Sequence, residues 1–447
     1  MKRVAVLNVV GLTELVLAQM PRLKAWAQTK EVQSFKPAFP AVTTTAQASY
    51  LTGKSVGEHG IVGNGWYDRE DAEVKFWKQS NHLVKGKKLW EVVGVDCAKM
   101  FWWYNMYSSA KYSATPRPLY PADGRKVFDI HTQPMGLREK LKKDLGDFPF
   151  PSFWGPRAGI DSSKWIAESA KWIEKQESPT LNLVYLPHLD YGLQKFGPGA
   201  EEMDSEYQAI DEVTSDLVDF LESRGVEVLV LSEYGISKVS RPIHLNRVFR
   251  EKGWIQVKDE LGLECLDCGS CKAFAVADHQ VAHVYVNDHS IIDEVRETVL
   301  GVPGVEEIRE ASDLWGDQCG CDRGGDFVAV SQEDAWFTYY YWFDDAKAPD
   351  YARCIDIHRK PGYDPVELFL DPKISFPSLK VAGFLAKKKL GLRALMDVIP
   401  LDASLVKGSH GRDQVAQEEQ PLVIGSQAKQ VGNAEAVFDW IKGRLLA

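Results

Sequence analysis

Three consecutive threonines, Thr43 to Thr45, stand between a proline-limited turn at Phe39-Pro40 and a stretch, Ala46 to Thr52, that reads as a helix ending at Gly53. Hydroxyls at a loop-to-helix junction lie beside unpaired backbone N–H groups and the positive dipole end of the helix. Such a place holds anions, and it lowers the cost of turning a hydroxyl into a nucleophile. A glycine-punctuated loop follows, Glu58-His59-Gly60-Ile61-Val62-Gly63-Asn64. A lone threonine before a helix is ordinarily only an N-cap, so the chemistry must be argued from the whole string. Thr52-Gly53-Lys54-Ser55 imitates the end of a phosphate-binding loop, but that motif needs a glycine where Ala48 stands, which excludes it.

Taken together, Phe39-Pro40-x-x-Thr43, Leu51-Thr52-Gly53, His59-Gly60-Ile61 and Gly63-Asn64 resemble the nucleophile segment of type I phosphodiesterase/nucleotide pyrophosphatases. That family belongs to the alkaline phosphatase superfamily, with phosphonoacetate hydrolase as a close relative. The resemblance implies that Thr43 attacks phosphorus and also ligates a metal, while Thr44 and Thr45 support or cap the helix.

It further implies a two-metal site, of which the chain keeps part. Asp190, Glu233 and His410 match metal positions. The family's first aspartate falls on Val10, and histidine positions fall on Gln194 and Tyr234. Asn8 lies two residues before Val10 on the same strand face and offers an oxygen, with an ordinary buried asparagine as the competing reading. Gln47 stands where the family usually has a histidine beside the nucleophile. Amide and phenol in place of imidazole shift the set toward oxygen donors, which favours Mg²⁺ or Mn²⁺ over Zn²⁺ and at most one weakly held ion.

The elements that must carry these residues are legible as alternation. Buried strands at Val4–Val10, Cys97–Trp103, Leu181–Leu186 and Val226–Leu231 interleave with helices at 13–27, 161–177 and 203–224. This points to a parallel α/β sheet, whose ligands lie beyond the carboxyl ends of the strands. The chain leaves those ends at Val10, Leu186 and Leu231, beside the residues just named. Tyr104 to Phe150 is aromatic, has no clear period, and reads as an excursion that lines or covers a site.

After His244 the character changes. A strand over 272–286, a helix over 291–300 and short strands at 305–308, 326–330 and 336–343 form a βαββ-like stretch. The expected architecture is an alkaline-phosphatase-like parallel sheet flanked by helices, 1–260 and 375–447, with an inserted α+β cap, 261–374. His279 and His283 read as strand residues too far apart to share a metal. His358, Arg359 and Lys360 offer anion contacts on the way back from the cap, against a solvated charged turn as the alternative. Cys265-x-x-Cys268-x-x-Cys271 with Cys319-x-Cys321 allows a zinc site, though not at standard spacing.

The chain has 447 residues, 45% hydrophobic and 26% charged, with a net charge near −10, which argues against a nucleic-acid backbone as partner. No apolar run is long enough to span a bilayer. The apolar start, Val4 to Val10, is interrupted by Asn8 and followed by Gly11 and Glu14, so it reads as a strand and not as a signal peptide. Seven clustered cysteines point to a reducing cytoplasm. The expectation is a metal-dependent hydrolase of a phosphate ester, phosphodiester or phosphonate, acting through Thr43 on a small anionic substrate. The alternative is a catalytically altered relative that binds a small molecule or serves as a scaffold.

Overall fold

The computed structural model describes residues 1–123, 125–316 and 322–447. Its main sheet runs in the order Glu31–Ser34, Leu422–Gly425, Glu227–Leu231, Val4–Val9, Leu181–Leu186, Cys97–Met100, Tyr112–Pro116, Ile130–Gln133. The five strands from Glu227–Leu231 to Tyr112–Pro116 are parallel, as the alternation implies. The outer strands pair antiparallel and close both margins. Val4–Val9 is buried along its whole length, because helices cover both faces of a parallel sheet. Its register sets Asn8 opposite Tyr185 on one side and Leu231 on the other. The loops carrying Asp190 and Glu233 therefore leave the sheet beside Asn8.

Two expected elements divide. The helix over 13–27 is a pair, Glu14–Ala18 and Pro21–Ala27. Met20, pressed out of the helical region by the proline that follows it, breaks the run. The strand over 272–286 is a hairpin, Ala273–Asp278 against Val281–Val286, with His279 at its tip in a left-handed conformation, φ 65°. The stretch over 104–150 does more than cover a site, since Tyr112–Pro116 and Ile130–Gln133 extend the main sheet. Strands of four or five residues are too short to show a period.

The hairpin continues into a four-stranded antiparallel sheet with Phe327–Ser331 and Val305–Glu310, backed by helix Ile292–Leu300. Only Ala335–Phe337 of the aromatic run is strand; Tyr339 to Trp342 are buried without regular structure. The apolar core of this second layer also takes in Leu245, Phe249, Ile399 and Val406, outside the 261–374 span. Among the described residues no helix is long and apolar enough to cross a membrane.

Candidate active site

The helix after the proline turn begins three residues earlier than the sequence suggests, spanning Thr43–Thr52 with Val42 as an extended N-cap. Every residue of it is buried. It stops at Gly53, whose left-handed φ of 65° strains any other residue and where an added Cβ would press on the Phe438 ring at 3.0 Å. The three threonines part company in the first turn. The Thr44 hydroxyl donates to the Gly63 carbonyl at 2.7 Å, and the Thr45 hydroxyl to the Pro40 carbonyl at 2.6 Å. Both bind the segment together. Thr43 turns its Oγ1 to the sheet ends, 3.0 Å from the Tyr234 hydroxyl and within hydrogen-bond reach of Glu233.

His59 holds the return loop. Its Nδ1 accepts from Ile61 N–H at 3.1 Å, so Nε2 carries the proton and donates to Ser49 Oγ at 3.1 Å. The loop then delivers Asn64, whose Oδ1 accepts from the Thr44 N–H at 3.2 Å.

Two buried carboxyls face the Thr43 region. Glu233 Oε1 accepts from Asn8 Nδ2 and from Gln47 Nε2, each at 2.6 Å. The Gln47 amide cannot turn over, because its Oε1 already accepts from Trp103 N–H at 2.6 Å. Burial pushes the Glu233 carboxyl up to about 8, with its donors opposing the shift. Asp190, near the start of helix His188–Phe196, accepts from Gln194 Nε2 at 2.8 Å and from the Tyr234 hydroxyl at 3.3 Å. Burial raises it to about 7 against the same two donors. Both acids are therefore held by neutral groups.

Beside them four rings form one column. Tyr363 lies on His279 with centroids 3.6 Å apart, His279 on His410 at 3.7 Å, and His410 on Tyr234 at 3.6 Å. The two end hydroxyls reach the same network: Tyr234 donates to Asp190, and Tyr363 to Gln194 Oε1 at 2.8 Å. His410 Nδ1 donates to the Ala41 carbonyl at 2.8 Å, which leaves Nε2 unprotonated and 3.8 Å from Asp190 Oδ1.

Tyr363 was not singled out by the sequence, and His279, expected as an ordinary strand residue, instead sits at the hairpin tip within the column. The signal for His279 was the His279-Gln280 pair between two apolar runs, a two-residue turn that brings the hairpin tip back onto the core. Asp278 accompanies it, accepting from the Asn64 backbone N–H at 2.8 Å and from the Asn64 amide at 3.0 Å.

The residues expected as anion contacts at 358–360 all have partners within the chain. Lys360 is buried in an ion triad, its Nζ 2.7 Å from both Asp364 Oδ2 and Glu367 Oε1. Arg359 pairs with Asp350 at 3.0 Å and lies over the Tyr351 ring. His358 Nδ1 is engaged with the Phe76 carbonyl at 3.2 Å. The segment shapes the turn that presents Tyr363.

The sequence profile of type I phosphodiesterase / nucleotide pyrophosphatase matches residues 4–364, most of the chain. The chain belongs to this family. A curated relative, an uncharacterized pyrophosphatase/phosphodiesterase of Schizosaccharomyces pombe, is 27% identical over 228 residues, 48% of this chain. The chain spans 40% of that relative's length. Phosphonoacetate hydrolase of Sinorhizobium meliloti, solved with phosphonoacetate, superposes with a TM-score of 0.61 at 14% identity, covering 99% of this chain and 96% of that one. Murine ectonucleotide pyrophosphatase / phosphodiesterase 5, solved as an inactive variant with AMP, gives 0.58 at 14% identity, covering 100% and 95%. At that identity these similarities establish the alkaline-phosphatase-like fold.

The two-ion arrangement of this type I phosphodiesterase family does not fit the donor set. Val10 has no side-chain donor atom, the Gln47 and Gln194 oxygens are taken by Trp103 N–H and the Tyr363 hydroxyl, and Tyr234 is a protonated phenol held to Asp190. This leaves Asn8 Oδ1 and Glu233 Oε2 as unpartnered oxygens, with no imidazole or second carboxylate gathered beside them among the described residues. Among the described residues no three His, Cys, Asp or Glu side chains gather closely enough to hold an ion, so Glu233 does not join Asp190 and His410 in one ligand group. A single ion fits between Asp190 and His410. Nε2 of His410 is buried and makes no hydrogen bond, and it faces a carboxylate oxygen, two lone-pair carriers across 3.8 Å. Among the described residues Cys265, Cys268 and Cys271 form no metal-holding group, while Cys319 and Cys321 lie outside the described residues.

Proposed function

We propose that this chain hydrolyses a phosphate ester, phosphodiester or phosphonate of small size, with Thr43 as nucleophile. The observation that carries the proposal is the isolation of one hydroxyl. Of three threonines in the first turn of a buried helix, Thr43 alone points to the carboxyl ends of the strands, 3.0 Å from Tyr234. Its Oγ would bond to phosphorus as the ester or phosphonate group leaves. The helix N-terminus beneath it favours the anion, and buried surroundings exclude water from the charge that develops. Thr43's proton can pass through the Tyr234 hydroxyl to an ionised Asp190, or to Glu233 once that carboxyl has lost its own proton. The departing group leaves with the bonding electron pair and takes up a proton, and water then displaces the Thr43 oxygen from phosphorus.

Asp190 and His410 would hold one divalent ion, Mg²⁺ or Mn²⁺ in preference to Zn²⁺, with Gln194 steadying Asp190 through its amide N–H, since its oxygen is taken by Tyr363. Such an ion supplies charge stabilisation to the phosphoryl oxygens. The chain's own groups prepare for it: Tyr363 fixes the Gln194 amide, and the Ala41 carbonyl fixes the His410 tautomer. A cytoplasmic setting is part of the same proposal, on cysteine usage. The test is a hydrolysis screen of monoester, diester and phosphonate substrates with Mg²⁺ or Mn²⁺, wild type beside Thr43→Ala.

A second reading has its own support. Asp190 and one oxygen of Glu233 already accept from amide and phenol donors. That arrangement suits a protein that binds a phosphonate or phosphate without cleaving it. Saturable binding of phosphonoacetate with no turnover of any substrate would select this reading.

A further inference from the structure

A cleft of about 630 Å³ opens between the segment from Gly60 to Arg117 and the chain at Asp322-Arg323. None of Thr43, Asp190, Glu233 or His410 lines it. Six cationic side chains do, Arg69, Lys75, Lys78, Lys85, Arg117 and Arg323, against three acidic ones. In a chain whose net charge is −10, this cleft reverses the overall sign locally.

The cations are not equivalent. Lys75 is neutralised by Asp68 at 2.6 Å and by Asp71, and Arg69 lies toward Asp326 at 3.5 Å. Lys78, Arg117 and Arg323 make no ion pair among the described residues. Arg323 is nevertheless held firmly. Its guanidinium donates to the carbonyls of Gly60 at 2.7 Å and Leu83 at 2.9 Å, and lies 4.9 Å over the Trp66 ring. Neutral partners fix its position without cancelling its charge, and a charge fixed in advance costs little ordering when it meets an anion. The fields of Lys78 and Arg117 are felt by their neighbours, depressing His358 and His131 respectively, in each case after the larger effect of burial.

We infer that this cleft is a second anion site, separate from Thr43, that takes a small soluble anion carrying several phosphoryl charges. One pinned guanidinium and two exposed, unpaired cations along one cleft match a ligand that carries several charges better than a single sulfate or chloride. The inference does not depend on Thr43 being a nucleophile.

Tripolyphosphate titrated into the Thr43→Ala protein by calorimetry tests it. Saturable binding at one site per chain is expected, weakened at least tenfold in Lys78→Ala/Arg117→Ala and steeply reduced by added salt. Both substituted residues are exposed, so the double variant should keep the wild-type melting temperature, which is checked alongside. Sulfate should bind far more weakly. Absence of saturable binding, or equal affinity in the double variant, would overturn the proposal, because the ligand would then be elsewhere. Equal affinity for sulfate and tripolyphosphate would overturn the multiply charged ligand.

Discussion

Tyr234 and His410 lie face to face, ring centroids 3.6 Å apart and planes 8° from parallel. The phenol reaches past the imidazole, so that its hydroxyl meets both Thr43 at 3.0 Å and Asp190 at 3.3 Å. At the position where the sequence resemblance implies a histidine, Tyr234 offers an O–H donor in place of a ring-nitrogen lone pair. Tyr234→Phe keeps the stack and deletes only the hydroxyl. It should cost about 1–2 kcal/mol in denaturant unfolding and lower kcat by about tenfold or more, with KM little changed. An unaltered kcat would remove Tyr234 from the reaction.

Thr43→Ala should abolish turnover, by about a thousandfold or more, because no other hydroxyl of the first turn faces the site. Thr44→Ala and Thr45→Ala should instead cost about 1 kcal/mol each in stability, the price of one backbone-directed hydrogen bond. Steady-state rates of the three variants, measured beside their melting curves, separate the roles.

Glu233 sets a pH dependence of stability. Burial lifts its carboxyl to about 8 from an ordinary 4.5, so the folded state retains a proton that the unfolded state releases. The stability this group contributes is full below about pH 4.5 and is lost as pH rises toward 8. Glu233→Gln carries no such proton. In metal-free protein, wild type should therefore lose stability relative to the variant between about pH 5 and pH 8, by an amount of order a few kcal/mol. Asp190 is common to both proteins, so the difference isolates Glu233. Parallel pH profiles would contradict the burial argument.

Metal-replete protein should carry no more than one divalent ion per chain, readily stripped by a chelator, and His410→Ala should lose it. The Asp190–His410 pair provides one carboxylate and one imidazole, too little for tight zinc. Elemental analysis showing two tightly held zinc ions, neither at Cys265–Cys271, would refute the single-ion proposal.

Lys360→Ala should destabilise the fold by about 3–5 kcal/mol, since Asp364 and Glu367 would remain buried without their cation. Removing Lys360 as a substrate contact would instead change KM and leave unfolding untouched. Chemical denaturation distinguishes the two.

Much of the frame was legible because period and burial are local properties. Val4–Val9, Leu181–Leu186 and Glu227–Leu231 are apolar runs ending in loops, and parallel strands with covered faces must look so. The threonine segment was legible as a string, and with it the division of labour between Thr43 and its two neighbours. The short strands within 104–150 escaped because four residues carry no period, and the boundary at Pro21 was readable in its proline but outweighed by the apolar spacing around it.

What the amino-acid sequence determined by itself is which chemical groups are present at the strand ends: a hydroxyl, two carboxyls and an imidazole, with amide and phenol replacing other imidazoles. Only the tertiary structure decided what those groups do to one another. Whether Gln194 donates or accepts depends on Tyr363, a residue 169 positions away, and whether His410 bares Nε2 depends on a carbonyl 369 positions away. Lys360 differs from Lys78 not in chemistry but in the two carboxylates that the fold brings within 2.7 Å of its ammonium. Charge and hydrogen-bond direction are settled by neighbours in space, and those neighbours come from loops whose sequence carries no period to place them.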